Sequence, residues 1–194
     1  MRIPAVVLMG PPGAGKGTQA ARLEQAFNSV YHVSSGELLR SQKDSPLARQ
    51  YASTLARGDF FPDSVAMQLI KQALVEQGRT TDDLVLLDGT PRTVPQVALL
   101  NDVLDVRHVI VLDVSNSQIL IDRMSARGER PYDNPVDAAT RVDIHYELTA
   151  PVVDVYRQQN TPLAVIDAAR SQEEVYQDIM SALKQQPQLN QWFF

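Results

Sequence analysis

The sequence predicts a three-layer α/β fold, a five-stranded parallel sheet with helices on both faces. Two observations predict it. Short apolar runs of strand length alternate along the chain with longer segments of helical period. Where they are clearest, as at Val109, Ile110, Val111 and Leu112, the runs are apolar without interruption, the pattern of a strand covered on both sides. At 194 residues the chain is long enough to bury such a core within one domain without cross-links.

Taken in order, the first run is Ala5-Met9, followed by a helical stretch from Gly15 to Phe27 with Ala20, Leu23 and Phe27 on one face. A short strand is expected around Tyr31-Val33. Asp63 stands as N-cap before a helix carrying Val65, Leu69, Ile70 and Leu74. Leu84-Leu87 and His108-Leu112 are the next strands, and Ser115 opens a helix with Ile119, Leu120 and Met124. A long helical segment runs from Pro135 to Gln159, with a kink or break expected at Pro151. Leu163-Ile166 is the last strand, and Ser171 caps a helix holding Val175, Ile179 and Leu183. The tail ends in Trp192, Phe193 and Phe194, and is expected to fold back on the body.

Composition removes several function classes. Net charge is -5, so no global basic field draws in nucleic acid, and any bound anion needs a local cluster of positive groups. With no cysteine there is no disulfide, thiolate metal site or cysteine nucleophile. No stretch approaches the roughly 20 apolar residues of a membrane helix, so a cytoplasmic, soluble protein is expected. His32, His108 and His145 lack metal-ligand spacing and are read as structural.

Residues 10 to 18 read G-P-P-G-A-G-K-G-T, and Gly10, Gly15 and Lys16 fit the phosphate-loop (P-loop) core G-x-x-x-x-G-K. Glycines let the backbone turn its N–H groups inward, the following helix adds partial positive charge, and Lys16 supplies a point charge for the outer phosphates. Gly13, Ala14, Gly15, Lys16, Gly17 and Thr18 are therefore the candidate triphosphate cradle. The strict motif has Ser or Thr straight after the lysine; here Gly17 intervenes, so Mg2+ is expected to be held through water near Thr18 and Asp88 rather than directly. Asp88 and Asp113 end apolar runs, so with the loop three polar features fall on one sheet edge, where ligands bind in open parallel sheets.

Beyond the loop, residues 34–40 read S-S-G-E-L-L-R and residues 88–93 read D-G-T-P-R-T, with Gln96 three positions on. Arg123, Arg127, Arg130, Asp133, Asn134 and Arg141 follow, then T-x-P-V at Thr149 to Val152. Together with the loop, these motifs resemble adenylate kinase and its nucleoside monophosphate kinase relatives, in the same order over nearly the whole chain. The resemblance implies reversible transfer of the terminal phosphoryl group from ATP to AMP, with Mg2+, by a monomer. It implies that Arg40 and Arg92 hold the acceptor phosphate, that Arg127, Arg130 and Arg141 close over the transferring group, and that Arg123 and the backbone near Arg170 meet the donor base. Lys16, Arg92, Arg127, Arg130 and Arg141 are the implied catalytic set. For the acceptor it implies Ser35, the backbone of Asp59, Phe60 and Phe61, the turn Gly89, Thr90 and Pro91, and Gln96, which would read an adenine edge. Phosphoryl transfer asks for positioning and charge, not a side-chain nucleophile, and guanidinium groups grip phosphate in bidentate fashion.

The implied organisation is a single domain, 1–194, with an acceptor-binding excursion at 34–63 and a short lid at 127–134. Some residues depart from the family pattern. Ser35 replaces a threonine, Thr90 a phenylalanine, and Tyr132 one of two lid aspartates, while the lid is shorter than in short-lid relatives. A short lid would exclude water less well, so ATP hydrolysis without acceptor is expected. The rivals are a kinase of UMP, CMP or another nucleoside monophosphate such as dAMP, which an acceptor panel separates; a nucleotide-binding regulatory protein, which would bind ATP without forming product; and a P-loop kinase for a non-nucleotide acceptor, which would leave Gln96 and Ser35 without a role.

Overall fold

The computed structural model describes residues 2–41, 46–51, 53–54, 62–128 and 133–194. Strands β1 (Ile3–Met9), β2 (Val30–Ser34), β3 (Leu84–Asp88), β4 (Leu104–Asp113) and β5 (Leu163–Asp167) form one parallel sheet in the order β2-β3-β1-β4-β5. All five expected strands are present. β4 starts four residues earlier than its apolar run, because Leu104–Val106 pair with Ile3–Ala5 before the register shifts between Ala5 and Val6.

Strand alternation splits the core into two layers. Val6, Leu8, Leu84, Leu86, Ile110 and Leu112 face one side, against α1 (Lys16–Ala26), α6 (Ser117–Arg127), α7 (Pro135–Ile144) and α9 (Gln172–Lys184). Ala5, Val7, Met9, Val85, Leu87 and Val109 face the other, against α4 (Asp63–Glu76), α5 (Val94–Asn101) and α8 (Ala150–Gln158). This is the period of two expected of strands, here apolar on both faces because both are covered. A smaller cluster of Leu39, Val65 and Leu69 ties α2 (Ser35–Ser41) to α4, with Leu47 of α3 (Pro46–Gln50) packed beside it.

Helix starts differ from expectation in two places. Pro62, not Asp63, occupies the N-cap of α4, and Asp63 is its first helical residue, with its carboxylate accepting from Thr93 and Gln96. Asn116, not Ser115, caps α6, its side chain accepting from the Gln118 N–H. Ser171 caps α9 in a full capping box with Glu174, as expected. Pro151 does not break the chain of helix. The five residues His145–Thr149 form a π-helical turn whose longer bond, Ala150 N–H to the His145 carbonyl, joins α7 to α8 just before the proline.

The tail folds back as expected. After a 3₁₀ turn (Pro187–Leu189), α10 (Asn190–Phe193) buries Trp192 and Phe193. Phe193 meets Phe27 edge-on at 5.1 Å, and the Trp192 indole donates to the Asp82 carbonyl at 2.8 Å.

Candidate active site

The carboxyl ends of β1 and β3 open into a cleft of about 770 Å³. Its floor is the loop after β1. A Cβ on Gly10, at φ 140°, would stand 2.3 Å from the Leu112 carbonyl oxygen, so only glycine lets the loop press against β4. Gly15 ends the loop in the left-handed region as N-cap of α1, with no side-chain capping bond, so the first N–H groups of that helix are left for a ligand or water. Lys16 reaches back across the loop, donating to the carbonyls of Gly10 and Pro11 at 2.8 and 3.1 Å.

Asp88, at the end of β3, is buried beside this loop; one of its oxygens lies 3.5 Å from the point a Gly17 Cβ would occupy. His32 Nε2 stands 3.5 Å from the same oxygen, and Glu37 lies 3.9 Å from His32 Nδ1. Burial opposes ionisation of Asp88, but the His32 contact and the charges of Lys16, His32 and Arg92 outweigh it, and the carboxyl lies below its usual range. Burial likewise opposes the His32 cation, yet Asp88, Glu37 and Glu24 raise its pKa above the ordinary value.

The wall at the end of β3 is built from side chains. Arg92 Nε donates to the Gly89 carbonyl at 2.7 Å, and a Cβ on Gly89 would come within 3.3 Å of the guanidinium. Gly36 makes similar room for Arg40, whose Nη1 lies 3.1 Å from the missing Cβ. Thr149, in the π-helical turn, donates to the Arg92 carbonyl at 3.0 Å. The Ser35 and Thr90 hydroxyls share a buried hydrogen bond of 2.9 Å. Gln96 accepts from the Arg92 N–H at 2.6 Å and donates to Asp63 at 2.7 Å.

The third wall comes from α6 and α7. Arg123 and Arg127 lie one turn apart on α6. Arg123 donates to the carbonyls of Ala168 and Ala169 at 2.7 and 3.0 Å, and to that of Arg170 at 3.3 Å. Arg127 grips buried Asp133 through both carboxylate oxygens, at 2.8 and 2.5 Å, while Arg141 stands 3.9 Å from the same carboxylate. Arg170 pairs with Asp178 and Asp167. His145 lines the cleft too; burial, then the charges of Lys16 and Arg92, push it down to about 3, so its imidazole is neutral.

Of the residues singled out from the sequence, Gly13, Ala14, Gly15, Lys16, Gly17, Thr18, Arg40, Asp88, Gly89, Pro91, Arg92, Arg123, Arg127, Arg141 and Arg170 line this one cleft. Ser35, Thr90 and Gln96 do not line it; they are buried next to the wall that carries Arg92. Asp59, Phe60, Phe61 and Arg130 lie outside the described residues. Sequence reasoning assigned no site role to Asp63, His145 or Thr149. Asp63 carries the ordinary signature of a helix cap, and His145 is brought to the cleft by a π-helical turn that no local pattern announces. Among the described residues, no group of three or more His, Cys, Asp or Glu could hold a metal ion, and no helix is long and apolar enough to cross a membrane.

Comparison with known proteins agrees with this geometry. Residues 8–161 match the family model described as adenylate kinase. The chain is 36% identical over 192 residues to an adenylate kinase of Xanthomonas euvesicatoria pv. vesicatoria (strain 85-10), covering 92% of this chain and 98% of that one. It is 37% identical over 188 residues to one from Xanthomonas campestris pv. campestris (strain 8004), with the same coverage. It is 36% identical over 185 residues to one from Parasynechococcus marenigrum (strain WH8102), covering 92% and 97%. With the phosphate loop, the three-walled cation cleft and a match over most of its length, the chain belongs to the adenylate kinase family.

Proposed function

We infer that this chain moves the terminal phosphoryl group of ATP to AMP, reversibly, giving two ADP. The observation that carries this reading is the convergence of Lys16, Arg40, Arg92, Arg127 and Arg141, drawn from distant parts of the chain, on one cleft. A protein of net charge -5 that lines one cleft with these five cations, and with Arg123 and Arg170 besides, is suited to bringing two polyanions together.

The roles follow from position. Residues Gly13 to Thr18 cradle the donor triphosphate, with Lys16 on its outer phosphates. Arg123, fixed along the 168–170 carbonyls, offers its guanidinium plane to the donor base. Arg40 and Arg92 hold the acceptor phosphate, and Arg127, Arg130 and Arg141 neutralise charge on the transferring group. Ser35, Gln96 and the backbone of Asp59, Phe60 and Phe61 form the acceptor base pocket. The bond from the terminal phosphorus to its bridging oxygen breaks as one forms to an AMP phosphate oxygen, so no side-chain nucleophile is needed. The excursion 34–63 and the lid 127–134 close over the two nucleotides and limit water; a short lid leaves some ATP hydrolysis without AMP.

Asp88 is ionised and faces the phosphate loop at Gly17, with a Glu37 oxygen near the same point, and among the described residues no group of three or more metal-ligating side chains gathers; this donor set suits Mg2+ arriving on the triphosphate, its waters ordered by Asp88 and Thr18. The ion would offset phosphate charge there. The test is a coupled assay with ATP, Mg2+ and a panel of AMP, dAMP, CMP and UMP. AMP is expected to lead the pyrimidines by at least about tenfold in kcat/KM. A pyrimidine preference, or ATP binding without product, would overturn the reading.

A further inference from the structure

We propose that Asp63 is a positioning residue for acceptor-base choice: it fixes which way the Gln96 amide faces, so that a 6-aminopurine is accepted and a 6-oxopurine refused. The inference rests on the reading of Gln96 as the group that meets the acceptor base.

A glutamine amide can turn over, exchanging its oxygen and nitrogen with almost no change of shape. Its sense is set only by its partners. Here the partners leave one choice. The Arg92 backbone N–H can only donate, and it meets Gln96 Oε1 at 2.6 Å. The Asp63 carboxylate accepts, and it meets Gln96 Nε2 at 2.7 Å. Asp63 is held in turn by the Thr93 hydroxyl, which stands 3.1 and 3.2 Å from its two oxygens. Gln96 is 2% exposed, buried against the acceptor side of the cleft, so water competes little for these two bonds, and a base reaches the amide's remaining positions only where its cover yields.

An amide has two N–H groups and two acceptor lone pairs. One of each is used by Asp63 and Arg92, which leaves one N–H and one lone pair to offer a base. Adenine presents an amino donor beside a ring-nitrogen acceptor, and glutamine satisfies that pair through both amide atoms. Hypoxanthine and guanine present the reverse order, a carbonyl acceptor beside a ring N–H. The same amide could serve them only by turning over. That would set its NH2 against the Arg92 N–H and its oxygen against the Asp63 carboxylate, both repulsive. Asp63 lies 33 residues from Gln96 in the chain and starts α4, the helix that follows the acceptor excursion. It is therefore also the link by which that segment and the turn bearing Arg92 share one hydrogen-bond network.

The test compares the native chain with Asp63→Ala, Asp63→Asn and Gln96→Ala, using ATP with AMP or inosine monophosphate as acceptor. Asp63→Ala is expected to raise KM for AMP about tenfold. It should lower the AMP-to-inosine-monophosphate ratio of kcat/KM by a similar factor, with kcat for AMP and KM for ATP within about twofold. Asp63→Asn keeps a carbonyl oxygen facing Gln96 Nε2 and should stay within about threefold of the native ratio. If Asp63→Ala slows both acceptors equally and leaves their ratio unchanged, Asp63 is merely structural and the proposal fails. If Gln96→Ala itself leaves KM for AMP and the ratio untouched, the failure lies earlier, in the reading of Gln96 as the base contact.

Discussion

The two halves of the cleft are made of different material. The phosphate cradle, proposed for the donor, is backbone: a glycine loop, a helix N-terminus and one lysine that crosses back over its own loop. The half beside β3, proposed for the acceptor, is side chain upon side chain, with Arg92, Gln96, Asp63, Thr93 and Thr149 bonded in one network and Ser35 bonded to Thr90 beside it. A backbone cradle binds any triphosphate, because N–H groups recognise charge and not bases. A side-chain network can be particular, because each amide and hydroxyl has a direction. On the proposed roles, the phosphate cradle is general and the Gln96 network is selective.

The harshest way to break that division is Lys16→Met, which deletes the only side-chain cation of the phosphate loop while keeping its length. Turnover is expected to fall by about a thousandfold or more, with thermal stability nearly unchanged and the ranking of acceptors preserved. Steady-state kinetics over the acceptor panel check it; a changed acceptor ranking would mean the halves are not separate.

The next largest effect concerns what holds the donor loop up. Helix α1 starts at the loop and ends against Phe27, which meets Phe193 of the tail. Phe193→Ala should cost about 3 kcal/mol of folding stability, while KM for ATP in the folded protein stays within about twofold, since the loop's shape is set by glycine backbone and not by the tail. Phe194, 63% exposed one residue further on, should be nearly silent when changed to alanine. Chemical denaturation of the two variants makes the contrast.

Why one half was easier to find follows from the same difference. Nine adjacent residues write the donor loop, so its geometry is local and legible. The acceptor residues could be picked out one by one, but their partners could not. Ser35 meets Thr90 across 55 residues, and Gln96 meets Asp63 across 33, distances over which spacing carries no information. Asp63 has the signature of an N-cap, yet the proline ahead of it takes that position and leaves its carboxylate to Gln96. The strands were legible because the sheet is apolar on both faces. The continuity of helix past Pro151 was not, because widening one turn lets the chain bypass the missing N–H.

Acidity separates two histidines by the same logic. Burial pushes His108, inside β4, from 6.5 to about 4, and burial with the charges of Lys16 and Arg92 pushes His145 to about 3. Both folded values lie below the unfolded one, so the unfolded chain binds more protons in acid. The stability tied to each neutral imidazole is complete above pH 6.5 and is lost as pH falls toward the folded value. By pH 5 each should have removed about 2 kcal/mol. His108→Leu should remove one share of the slope. Unfolding curves of the native chain and His108→Leu at pH 7 and pH 5 read this directly; an unchanged slope in the variant would show that His108 carries no share of the acid loss.

The finest cut is Thr149→Val, which keeps shape and deletes one hydroxyl. Thr149 reaches no nucleotide in the roles assigned here; it holds the Arg92 carbonyl at 3.0 Å, and Arg92 in turn holds Gln96 through its N–H. Losing one hydrogen bond of this kind is worth about 1 kcal/mol. If the acceptor half is a network in which each bond aims the next, that loss should surface as a rise of about fivefold in KM for AMP, with KM for ATP unmoved. If the half were instead a rigid cup like the phosphate loop, the same kilocalorie would appear in the unfolding midpoint and nowhere in the kinetics. The valine variant therefore asks whether selectivity here is carried by individual bond directions or by bulk shape, and equal shifts in the two Michaelis constants would show that the cleft has no separable halves at all.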